Sequence, residues 1–327
     1  MMKAVRFENQ TLEIIEVPIP VPRPGEALVK TVISGICNTD LELYQGYYDF
    51  AGIAGHELVG RVEQADDYPM LVGRRVVIAI NRGCGTCETC LSIGSEHCPS
   101  RKALGIHDWD GAFAEYVLAP LRNLHLVPDE VPDQIAVFAE PLAAALEITH
   151  QVPIKKETRT LVLGDGKLGL LSALVLRHFT DELTLAGRNP KHLASAANVG
   201  LDTLEIVGKR SGSMTSRYDL VIEATGSPTG VQSALEAVRP RGTLVVKTTS
   251  HQLSQIDLNR VVVDEITIIG SRCGNMVEAL DYLQARKVDP TPLIEQIYPF
   301  SRFEEAFQHA IRPVTGKILV TFSPERK

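Results

Sequence analysis

The order of apolar and polar positions divides the chain into a β-rich start, a middle part of alternating strands and helices, and a mixed tail. Near the N-terminus, apolar residues alternate as in strands at 4–7, 12–17 and 27–33, with no helical period between them. In the middle part, short apolar runs alternate with helical stretches, and the runs lie at 161–163, 183–186, 203–207, 219–224, 242–247 and 266–269. Alternation of this kind predicts an α/β fold with a parallel, doubly wound sheet.

Helical spacing also marks the segment before the middle part and two segments of the tail. Apolar residues recur with a helical period at 135–148, 276–285 and 303–310. A proline-containing break separates the two tail helices, and a last strand is predicted at 317–322. The tail contains no second glycine-rich nucleotide turn.

The segment from residue 160 to residue 189 predicts a dinucleotide-binding unit. A buried strand, Thr160–Leu163, precedes a G-x-G-x-x-G turn and an apolar helical stretch at 170–179. The turn consists of Gly164, Asp165, Gly166, Lys167, Leu168 and Gly169. Its first glycine allows a tight turn, its second lets the backbone approach a pyrophosphate, and its third lets the helix pack on the strand. The phosphates then lie at the helix N-terminus. A plain strand-to-helix turn would have the same local pattern.

The end of the next strand indicates which nicotinamide cofactor binds. An NAD-binding unit has an Asp or Glu there, which binds the ribose 2′-hydroxyl. This chain instead reads Gly187, Arg188 and Asn189, with Lys191 and His192 close behind. The glycine leaves room and the planar arginine cation suits a 2′-phosphate, so we predict NADP(H) in preference to NAD(H). An arginine that only lies on the surface would also fit the pattern. The predicted cofactor-binding residues are Gly164, Gly166, Lys167, Leu168, Gly169, Arg188, Asn189 and Thr225.

Length and composition limit the class of protein. The 327 residues suffice for two domains, and the hydrophobic share of 44% is ordinary for a soluble globular protein. A net charge of −7 without a basic tract argues against binding to nucleic acid or to an anionic membrane. Charges at Lys3, Arg6 and Glu8 lie where a signal peptide needs an apolar core, and no apolar run is long enough to span a bilayer. We therefore expect a cytoplasmic protein whose cysteines are metal ligands or reduced thiols.

Four cysteines within one short segment give the strongest chemical signal, with the spacing Cys84-x2-Cys87-x2-Cys90-x7-Cys98. Four thiolates suit tetrahedral zinc, and such a closed site is structural because it leaves no position for a substrate. An iron–sulfur cluster is the main competing interpretation, but the bacterial cysteine run has three residues before its last cysteine, where this chain has seven. Disulfide bonds or free thiols would also be compatible with four nearby cysteines.

Four further motifs occur in order along the chain. They are Gly35-Ile36-Cys37-x-Thr39-Asp40, Gly55-His56-Glu57, Gly111-Ala112-Phe113-Ala114-Glu115-Tyr116 and Glu140-Pro141-Leu142. Together with the cysteine segment and the glycine turn, they resemble the zinc-containing medium-chain dehydrogenase/reductase family, which includes the alcohol and polyol dehydrogenases. The resemblance extends from residue 4 to residue 322, and the order and spacing of the motifs make it specific.

The resemblance implies a domain organisation. Residues 1–142 and 271–327 would form a GroES-like β-rich catalytic domain that includes the structural zinc lobe at 83–99, and residues 143–270 would form an inserted Rossmann domain. Members of the family are dimers or tetramers. The segment 264–270 resembles the edge strand through which subunits join their sheets, and we therefore expect a homodimer or homotetramer.

The resemblance also implies a catalytic zinc. Cys37 and His56 look like two of its ligands. Glu57 is similar to the glutamate that binds the metal directly or lies just behind it. Glu140 matches the position that polyol dehydrogenases fill with glutamate and alcohol dehydrogenases with cysteine. The predicted metal ligands of the chain are Cys37, His56, Glu57 and Glu140 at this site, and Cys84, Cys87, Cys90 and Cys98 at the structural site.

Two neighbours of these ligands resemble residues with catalytic roles. Asp40 is similar to the carboxylate that orients the liganding histidine. Thr39 is similar to the hydroxyl that passes the proton away from the substrate oxygen. The liver-type pattern has a histidine five positions after the cysteine, where this chain has Glu42, so the outer proton path would use Glu42 or water. With Glu57, Asp40 and Thr39 form the predicted catalytic set.

The features together predict a zinc-dependent oxidoreductase that transfers hydride between an alcohol or polyol, or its carbonyl, and NADP(H). A zinc with three protein ligands keeps an open position for the substrate oxygen, and its charge stabilises an alkoxide. The aromatic residues near the site either line the substrate pocket or belong to the core; they are Tyr44, Tyr47, Tyr48, Phe50 and Trp109. Two competing hypotheses are the same chemistry with NAD(H), and a non-catalytic protein that binds nucleotide and zinc.

Overall fold

The structure is a computed structural model that describes residues 1–207, 214–250, 252–312 and 315–322. It divides into two compact units: unit 1 comprises Met1–Glu140 and Met276–Lys327, and unit 2 comprises Pro141–Asn275. The sequence placed these borders after residues 142 and 270. None of the described helices has both the length and the apolar character that a membrane span requires.

Among the described residues, strands outnumber helices in unit 1 and alternate with helices in unit 2. In chain order, the strands are β1 (Met2–Glu8), β2 (Thr11–Val17), β3 (Glu26–Gly35), β4 (Gly52–Ile53), β5 (Glu57–Gln64), β6 (Arg75–Ile78), β7 (Asn81–Arg82), β8 (Lys102–Ala103), β9 (Tyr116–Pro120), β10 (Leu124–Leu126), β11 (Thr160–Leu163), β12 (Leu183–Gly187), β13 (Asp202–Glu205), β14 (Tyr218–Glu223), β15 (Val238–Val246), β16 (Thr267–Gly270), β17 (Ile294–Pro299) and β18 (Lys317–Thr321). The helices are α1 (Asn38–Tyr44), α2 (Glu88–Ser92), α3 (Asp133–Ala136), α4 (Ala139–Gln151), α5 (Lys167–Leu176), α6 (Pro190–Asn198), α7 (Gly230–Ala237), α8 (Leu258–Val263), α9 (Met276–Gln284) and α10 (Phe303–Ile311).

The largest sheet of unit 1 joins the N-terminal strands to the tail. Its order is β10-β6-β5-β3-β18-β17, and β9 also pairs with β3. On one side of β3, Glu57 of β5 is aligned with Gly35, and on the other side Leu319 of β18 is aligned with the same glycine. Segments far apart in the sequence therefore meet at the C-terminal end of β3.

Aromatic packing provides a second link between the tail and the N-terminal part of unit 1. Phe303 and Phe307 of α10 pack on Phe113 and Phe7, with ring centroids 4.7 Å and 5.2 Å apart. All four rings are buried. Because each buried aromatic ring removes a large apolar area from water, this cluster holds the tail on the first part of the chain.

Unit 2 contains a six-stranded sheet in the order β13-β12-β11-β14-β15-β16, and all its neighbouring strands are parallel. This is the strand order of a dinucleotide-binding doubly wound fold, in which the order reverses beside the first strand. The predicted parallel sheet is confirmed, because each of the six predicted strands overlaps one observed strand.

The segment predicted as one helix at 135–148 is two helices, α3 and α4. Proline at position 141 has no N–H to donate to the carbonyl of Val137, and its ring would clash with that carbonyl in a continuous helix. The helical path is interrupted at Val137 and Phe138 and begins again at Ala139. Pro141 then lies in the first turn of α4, where the missing N–H costs nothing.

The structure also differs from the prediction at the start of one helix and in one strand of the tail. The helix after the glycine turn begins at Lys167 instead of residue 170, because the turn itself ends at Gly166. The tail contains an additional strand, β17, which pairs in parallel with β18. Prolines beside and within this short segment obscured its strand pattern in the sequence.

Candidate metal centres and nucleotide site

The four cysteines of segment 84–98 form one compact cluster. Their Sγ atoms lie within 4.8 Å of one another; Cys84 and Cys90 are 3.9 Å apart, and Cys87 and Cys98 are 3.8 Å apart. A tetrahedral zinc with Zn–S bonds of about 2.3 Å separates its sulfurs by about 3.8 Å. Bonded sulfurs in a disulfide would be only about 2.05 Å apart. The observed spacing therefore fits a four-thiolate zinc site.

Backbone N–H groups point at all four sulfurs of the cluster. The N–H of Cys84 donates to Cys98 Sγ, that of Gly85 to Cys90 Sγ, that of Cys87 to Cys84 Sγ, and that of Cys90 to Cys87 Sγ, at 3.3–3.4 Å. Backbone hydrogen bonds from Thr86 and Cys87 lower the pKa of Cys84 to about 5. The N–H of Gly85 lowers the pKa of Cys90, but burial and the three neighbouring thiols raise it to about 12. Ionisation of all four thiols at neutral pH would therefore need a bound cation.

The second group of potential ligands forms where β3 ends beside the start of β5. Because these strands are antiparallel, Cys37, two residues after β3, lies next to His56 and Glu57. One ligand atom from each of the three side chains lies within 4.8 Å of the others. His56 and Glu57 are buried, whereas Cys37 is half-buried. Gly35 is needed beside them because a Cβ there would overlap the Glu57 carboxylate.

Asp40 connects the two arms of this group from the first turn of α1. Its Oδ2 accepts a hydrogen bond from the Cys37 N–H at 2.8 Å, and its Oδ1 accepts one from the Gly55 N–H at 3.2 Å. Oδ1 also lies 3.3 Å from His56 Nδ1, close enough for an ion pair although not aligned as a hydrogen bond. Burial lowers the pKa of His56, but the charges of Asp40 and Cys37 outweigh it and raise the pKa well above its usual value. Asp40 thus fixes the imidazole with Nδ1 towards the carboxylate.

Glu57 forms a buried ion pair with the first residue of β18. Lys317 Nζ lies 2.7 Å from Glu57 Oε1 and 2.5 Å from Oε2, and both side chains are 2% exposed or less. Burial lowers the pKa of Lys317, but the charge of Glu57 outweighs it and raises the pKa above 10.5. Lys317 Nζ also lies 5.9 Å from the centre of the Phe138 ring. Both oxygens of Glu57 are therefore engaged by a lysine that sequence reasoning missed.

Thr39 lies beside Cys37, whereas Glu140 is not part of this group. Thr39 Oγ1 is 3.9 Å from Cys37 Sγ. Glu140, at the second position of α4, is half-buried and is not among the side chains whose ligand atoms lie within 4.8 Å of one another. Glu42 contributes to the environment of Tyr47, whose pKa is raised to about 12 by burial, by Tyr48 and by the Glu42 charge.

A cleft of about 350 Å³ opens in unit 1 between residues 48–52 and residues 106–110. It is lined by Tyr48, Asp49, Phe50, Ala51, Gly52, Ile106, His107, Asp108, Trp109 and Asp110. Three of the predicted pocket aromatics therefore do line a cleft. Tyr44 instead packs in the core, with its ring centroid 5.1 Å from that of Phe307.

Two glycines of the predicted dinucleotide turn have a steric reason, and the third leaves the space beside it open. Gly164 has a φ of +122°, and a Cβ there would overlap the Ala224 carbonyl. A Cβ on Gly169 would overlap the carbonyl of Gly164, so this glycine allows α5 to pack on the turn. Gly166 is the N-cap of α5 and faces open space. The turn therefore offers an open helix N-terminus, as a pyrophosphate requires.

The carboxyl ends of β12 and β14 complete this edge of the sheet. Thr225 donates from its backbone N–H and its hydroxyl to Glu223 Oε1, at 2.8 Å and 2.6 Å. Glu223 Oε2 and Asn189 Nδ2 are buried without hydrogen-bond partners among the described residues. Arg188 is exposed, and Lys167 and Leu168 are half-buried in the first turn of α5. Buried polar atoms without partners at the edge where such sheets bind nucleotides fit a site built for a ligand.

Sequence reasoning missed two charged contacts at these sites. The lone charge of Lys317, just before the apolar run of β18, was the only signal for the ion pair with Glu57. At the nucleotide site, Asp165 Oδ2 accepts a 2.6 Å hydrogen bond from the Asn189 N–H, and the Asp165 carbonyl oxygen lies 2.8 Å from His192 Nδ1. The G-x-G-x-x-G pattern marks Asp165 only as a variable position of the turn.

Comparison with protein families gives two matches. The alcohol dehydrogenase GroES-like domain matches residues 23–129, and the zinc-binding dehydrogenase family matches residues 168–285. The first covers much of the β-rich part of unit 1, and the second covers most of the parallel sheet of unit 2 and extends into the tail. The predicted GroES-like and Rossmann architecture is thus confirmed.

Individual relatives match over nearly the whole chain. The starvation-sensing protein RspB of Escherichia coli K12 is 30% identical over 98% of this chain and 100% of its own length. The sorbitol dehydrogenase of Halalkalibacterium halodurans is 29% identical over 94% of each.

Solved structures show the same fold. The short chain alcohol dehydrogenase (rspB) of Escherichia coli CFT073, complexed with NADH, has a TM-score of 0.92 at 27% identity, with 98% of this chain and 99% of that chain covered. A zinc-binding dehydrogenase of Sinorhizobium meliloti 1021 bound to NADP has a TM-score of 0.87 at 27% identity and the same coverage. With its two family domains, its full-length relatives and its motifs, this chain belongs to the zinc-containing medium-chain dehydrogenase/reductase family.

Proposed function

We propose that this chain is a zinc-dependent oxidoreductase that transfers hydride between an alcohol or polyol, or the corresponding carbonyl compound, and a nicotinamide dinucleotide. The close grouping of Cys37, His56 and a buried carboxylate carries the proposal, because a thiolate and an imidazole are ligands that catalytic zinc uses. The glycine turn of unit 2 supports the nucleotide part. When bound, zinc would polarise the substrate oxygen, and the nicotinamide would exchange hydride with the substrate carbon.

The protein groups around Cys37 and His56 have separate tasks in this proposal. Asp40 orients the imidazole, so that Nε2 is left to bind metal. Glu57 stays behind the ligands, because Lys317 holds both of its oxygens. We propose that Glu140 completes the ligand set. We also propose that Thr39, near Cys37 Sγ, accepts the substrate hydroxyl proton as it gives its own hydroxyl proton to Glu42 or water.

The substrate class is inferred from the cleft of unit 1. Aromatic rings at Tyr48, Phe50 and Trp109 combine there with carboxylates and with His107. Flat apolar faces beside hydrogen-bonding groups suit a molecule with several hydroxyls on a carbon chain. A polyol or sugar derivative therefore fits better than a simple apolar alcohol. The similarity to a sorbitol dehydrogenase supports the same choice.

We propose NADP(H) as the preferred cofactor because Arg188 is exposed at the end of β12, where it can pair with a 2′-phosphate. NAD(H) is the second candidate, favoured by the carboxylate of Asp165 near the same turn. One similar solved protein is complexed with NADH and another is bound to NADP, so the similarity to solved structures supports either cofactor.

We also propose a cytosolic homodimer or homotetramer. All six cysteines are free thiols in the structure, as metal ligation in a reducing compartment requires. The edge strand β16 follows helix α8, which exposes Leu258, Val262 and Val263. Pairing of two copies at this edge would cover these apolar side chains. Light scattering of the purified chain would give its mass in solution.

A substrate panel tests the proposed function. Polyols, sugar phosphates and secondary alcohols would be offered with NADP⁺ and with NAD⁺, and the absorbance of the reduced cofactor would be followed. We expect turnover of at least one polyol by the unaltered chain and none by Cys37→Ser. Binding of cofactor and zinc without turnover of any substrate would instead indicate a non-catalytic protein.

A further inference from the structure

The sequence has no Asp or Glu at the end of β12, but the Asp165 carboxylate lies there in the structure. A Cβ added to Gly187 would overlap the side chain of Asp165, from Cβ to the carboxylate. The Asp165 side chain therefore fills the place that an acidic side chain at position 187 would occupy. This explains why position 187 is glycine, since any larger residue would displace Asp165.

Two contacts hold Asp165 in that place. Its Oδ2 accepts a 2.6 Å hydrogen bond from the Asn189 N–H, and its carbonyl oxygen lies 2.8 Å from His192 Nδ1 on α6. The side chain is half-buried, so part of the carboxylate faces solvent. The described residues give no partner for Oδ1. One oxygen thus fixes the carboxylate, and the other can accept a hydrogen bond from a ligand.

We propose that Asp165 is the carboxylate that faces the adenosine ribose, and that it opposes Arg188 in setting the choice between NAD(H) and NADP(H). The inference rests on the proposed function, because it requires a nicotinamide dinucleotide on the glycine turn. Asp165 reaches the end of β12 from the turn itself, instead of from the strand. An NAD(H) ribose has a free 2′-hydroxyl, which donates to Asp165 Oδ1.

Asp165 and Arg188 have opposite effects on the affinities for NAD(H) and NADP(H). A 2′-phosphate would attract the exposed Arg188 and would be repelled by the Asp165 carboxylate. A 2′-hydroxyl gains a hydrogen bond to an ionised acceptor and gains little from the arginine. The chain should therefore bind both cofactors, with a preference smaller than either residue alone would produce.

Calorimetric titration of the zinc-loaded chain with NAD⁺ and with NADP⁺ tests the inference without measuring activity. Asp165→Asn retains an oxygen for the Asn189 N–H and removes the charge. We expect this variant to bind NAD⁺ roughly tenfold more weakly, and NADP⁺ several-fold more tightly. Arg188→Ala should weaken NADP⁺ by roughly tenfold and change NAD⁺ less than about twofold.

A matched control is Asp181→Asn, which removes an exposed carboxylate 3.1 Å from Lys156, just before β12 and thus at its opposite end. It should leave both affinities unchanged. Thermal unfolding of each variant would show that the fold is retained. If Asp165→Asn misfolds, Asp165→Glu gives a second test with the opposite sign. Its longer side chain keeps the charge and moves it towards the cofactor, so NADP⁺ should bind more weakly.

The possible failures are distinguishable. Binding of both cofactors with a ratio of affinities that no Asp165 variant changes would overturn this inference alone. A chain that binds neither cofactor would overturn the proposed function, and the inference with it.

Discussion

The two predicted zinc centres of unit 1 are assembled in opposite ways. The four thiols of the cysteine cluster, Cys84 to Cys98, come from one short segment, and backbone N–H groups of the same segment donate to each sulfur. The group of Cys37, His56 and Glu57 instead joins the ends of different strands, and its supporting lysine lies 260 residues from Glu57 in the chain. The cysteine cluster thus uses one kind of ligand from one segment. The second group, which we call the mixed centre, combines different kinds of side chain from distant parts of the chain.

Under the proposed function, this difference separates a folding role from a chemical role. A cluster of four sulfurs satisfies a tetrahedral ion completely, so it can hold the segment together but cannot bind substrate. A thiolate and an imidazole beside a carboxylate that is already paired with a lysine leave part of the coordination sphere to other groups. The second centre needs the whole fold of unit 1 to exist, whereas the first needs mainly its own loop.

The largest expected effect is on turnover. Cys37→Ser removes one ligand of the mixed centre, and we expect kcat to fall roughly 10³-fold or more, because metal polarisation contributes several kcal/mol to the reaction. Thermal unfolding and cofactor binding should stay close to those of the unaltered chain. Steady-state kinetics and calorimetry check this, and a variant with more than a tenth of normal kcat would contradict the site.

The cysteine cluster should show the reverse pattern. Cys98→Ala removes its buried ligand, and we expect a loss of about 4 kcal/mol in the free energy of unfolding, because the ion that links the loop is lost. Differential scanning calorimetry should show Tm lower by roughly 10 °C. The matched control is Cys273→Ser, which removes a cysteine that is in neither centre. An equal fall in Tm for both variants would count against a structural zinc.

Variants of Lys317 test whether this lysine, from a distant part of the chain, stabilises the buried Glu57 carboxylate of the mixed centre. Lys317→Met leaves the buried Glu57 carboxylate without its cation, and we expect the free energy of unfolding to fall by about 3 kcal/mol. Adding Glu57→Gln should restore part of the loss, because the uncompensated charge is then removed as well. Urea unfolding of the two single variants and the double variant measures the coupling. Additive losses would show that the pair does not act as a unit.

The smallest effect is expected at an ion pair of the other unit, which contains neither centre. Asp219 lies in unit 2 and bonds to Arg239 and Arg159. Burial raises its pKa, but these arginines outweigh burial and hold the pKa below 3.8. The ionised Asp219 therefore stabilises the fold fully above pH 3.8, and this contribution is lost as the pH falls through the lower pKa that Asp219 has in the folded state. Asp219→Asn should cost about 1 kcal/mol at pH 7 and nothing at strongly acid pH, without changing the zinc content.

Local pattern explains why much of the fold was predictable. Strand-and-helix alternation and the spacing of the glycines and cysteines are properties of short segments, and the parallel sheet, the dinucleotide turn and the thiol cluster follow from them. The motifs at Cys37 and His56 also marked two residues that the structure brings together. The break before α4 follows from Pro141 and its effect on the Val137 carbonyl, which the helical period of the apolar residues does not reveal.

Long-range contacts explain what was not predictable. Lys317 reaches Glu57 only because β18 and β5 both align with Gly35 of β3, a register that no local pattern reveals. The position of Asp165 over Gly187 depends likewise on how the glycine turn lies against the next strand. The missing acid at position 187 predicted NADP(H) from the sequence, whereas the three-dimensional arrangement places a carboxylate at the same point.

Zinc content per chain tests the contrast between the two centres most directly. Mass spectrometry of the metal in the purified, unaltered chain should find two zinc ions, and the double variant Cys37→Ser with His56→Ala should retain one ion and a nearly normal Tm. One ion in the unaltered chain, or loss of both ions from the double variant, would contradict two independent centres with separate roles.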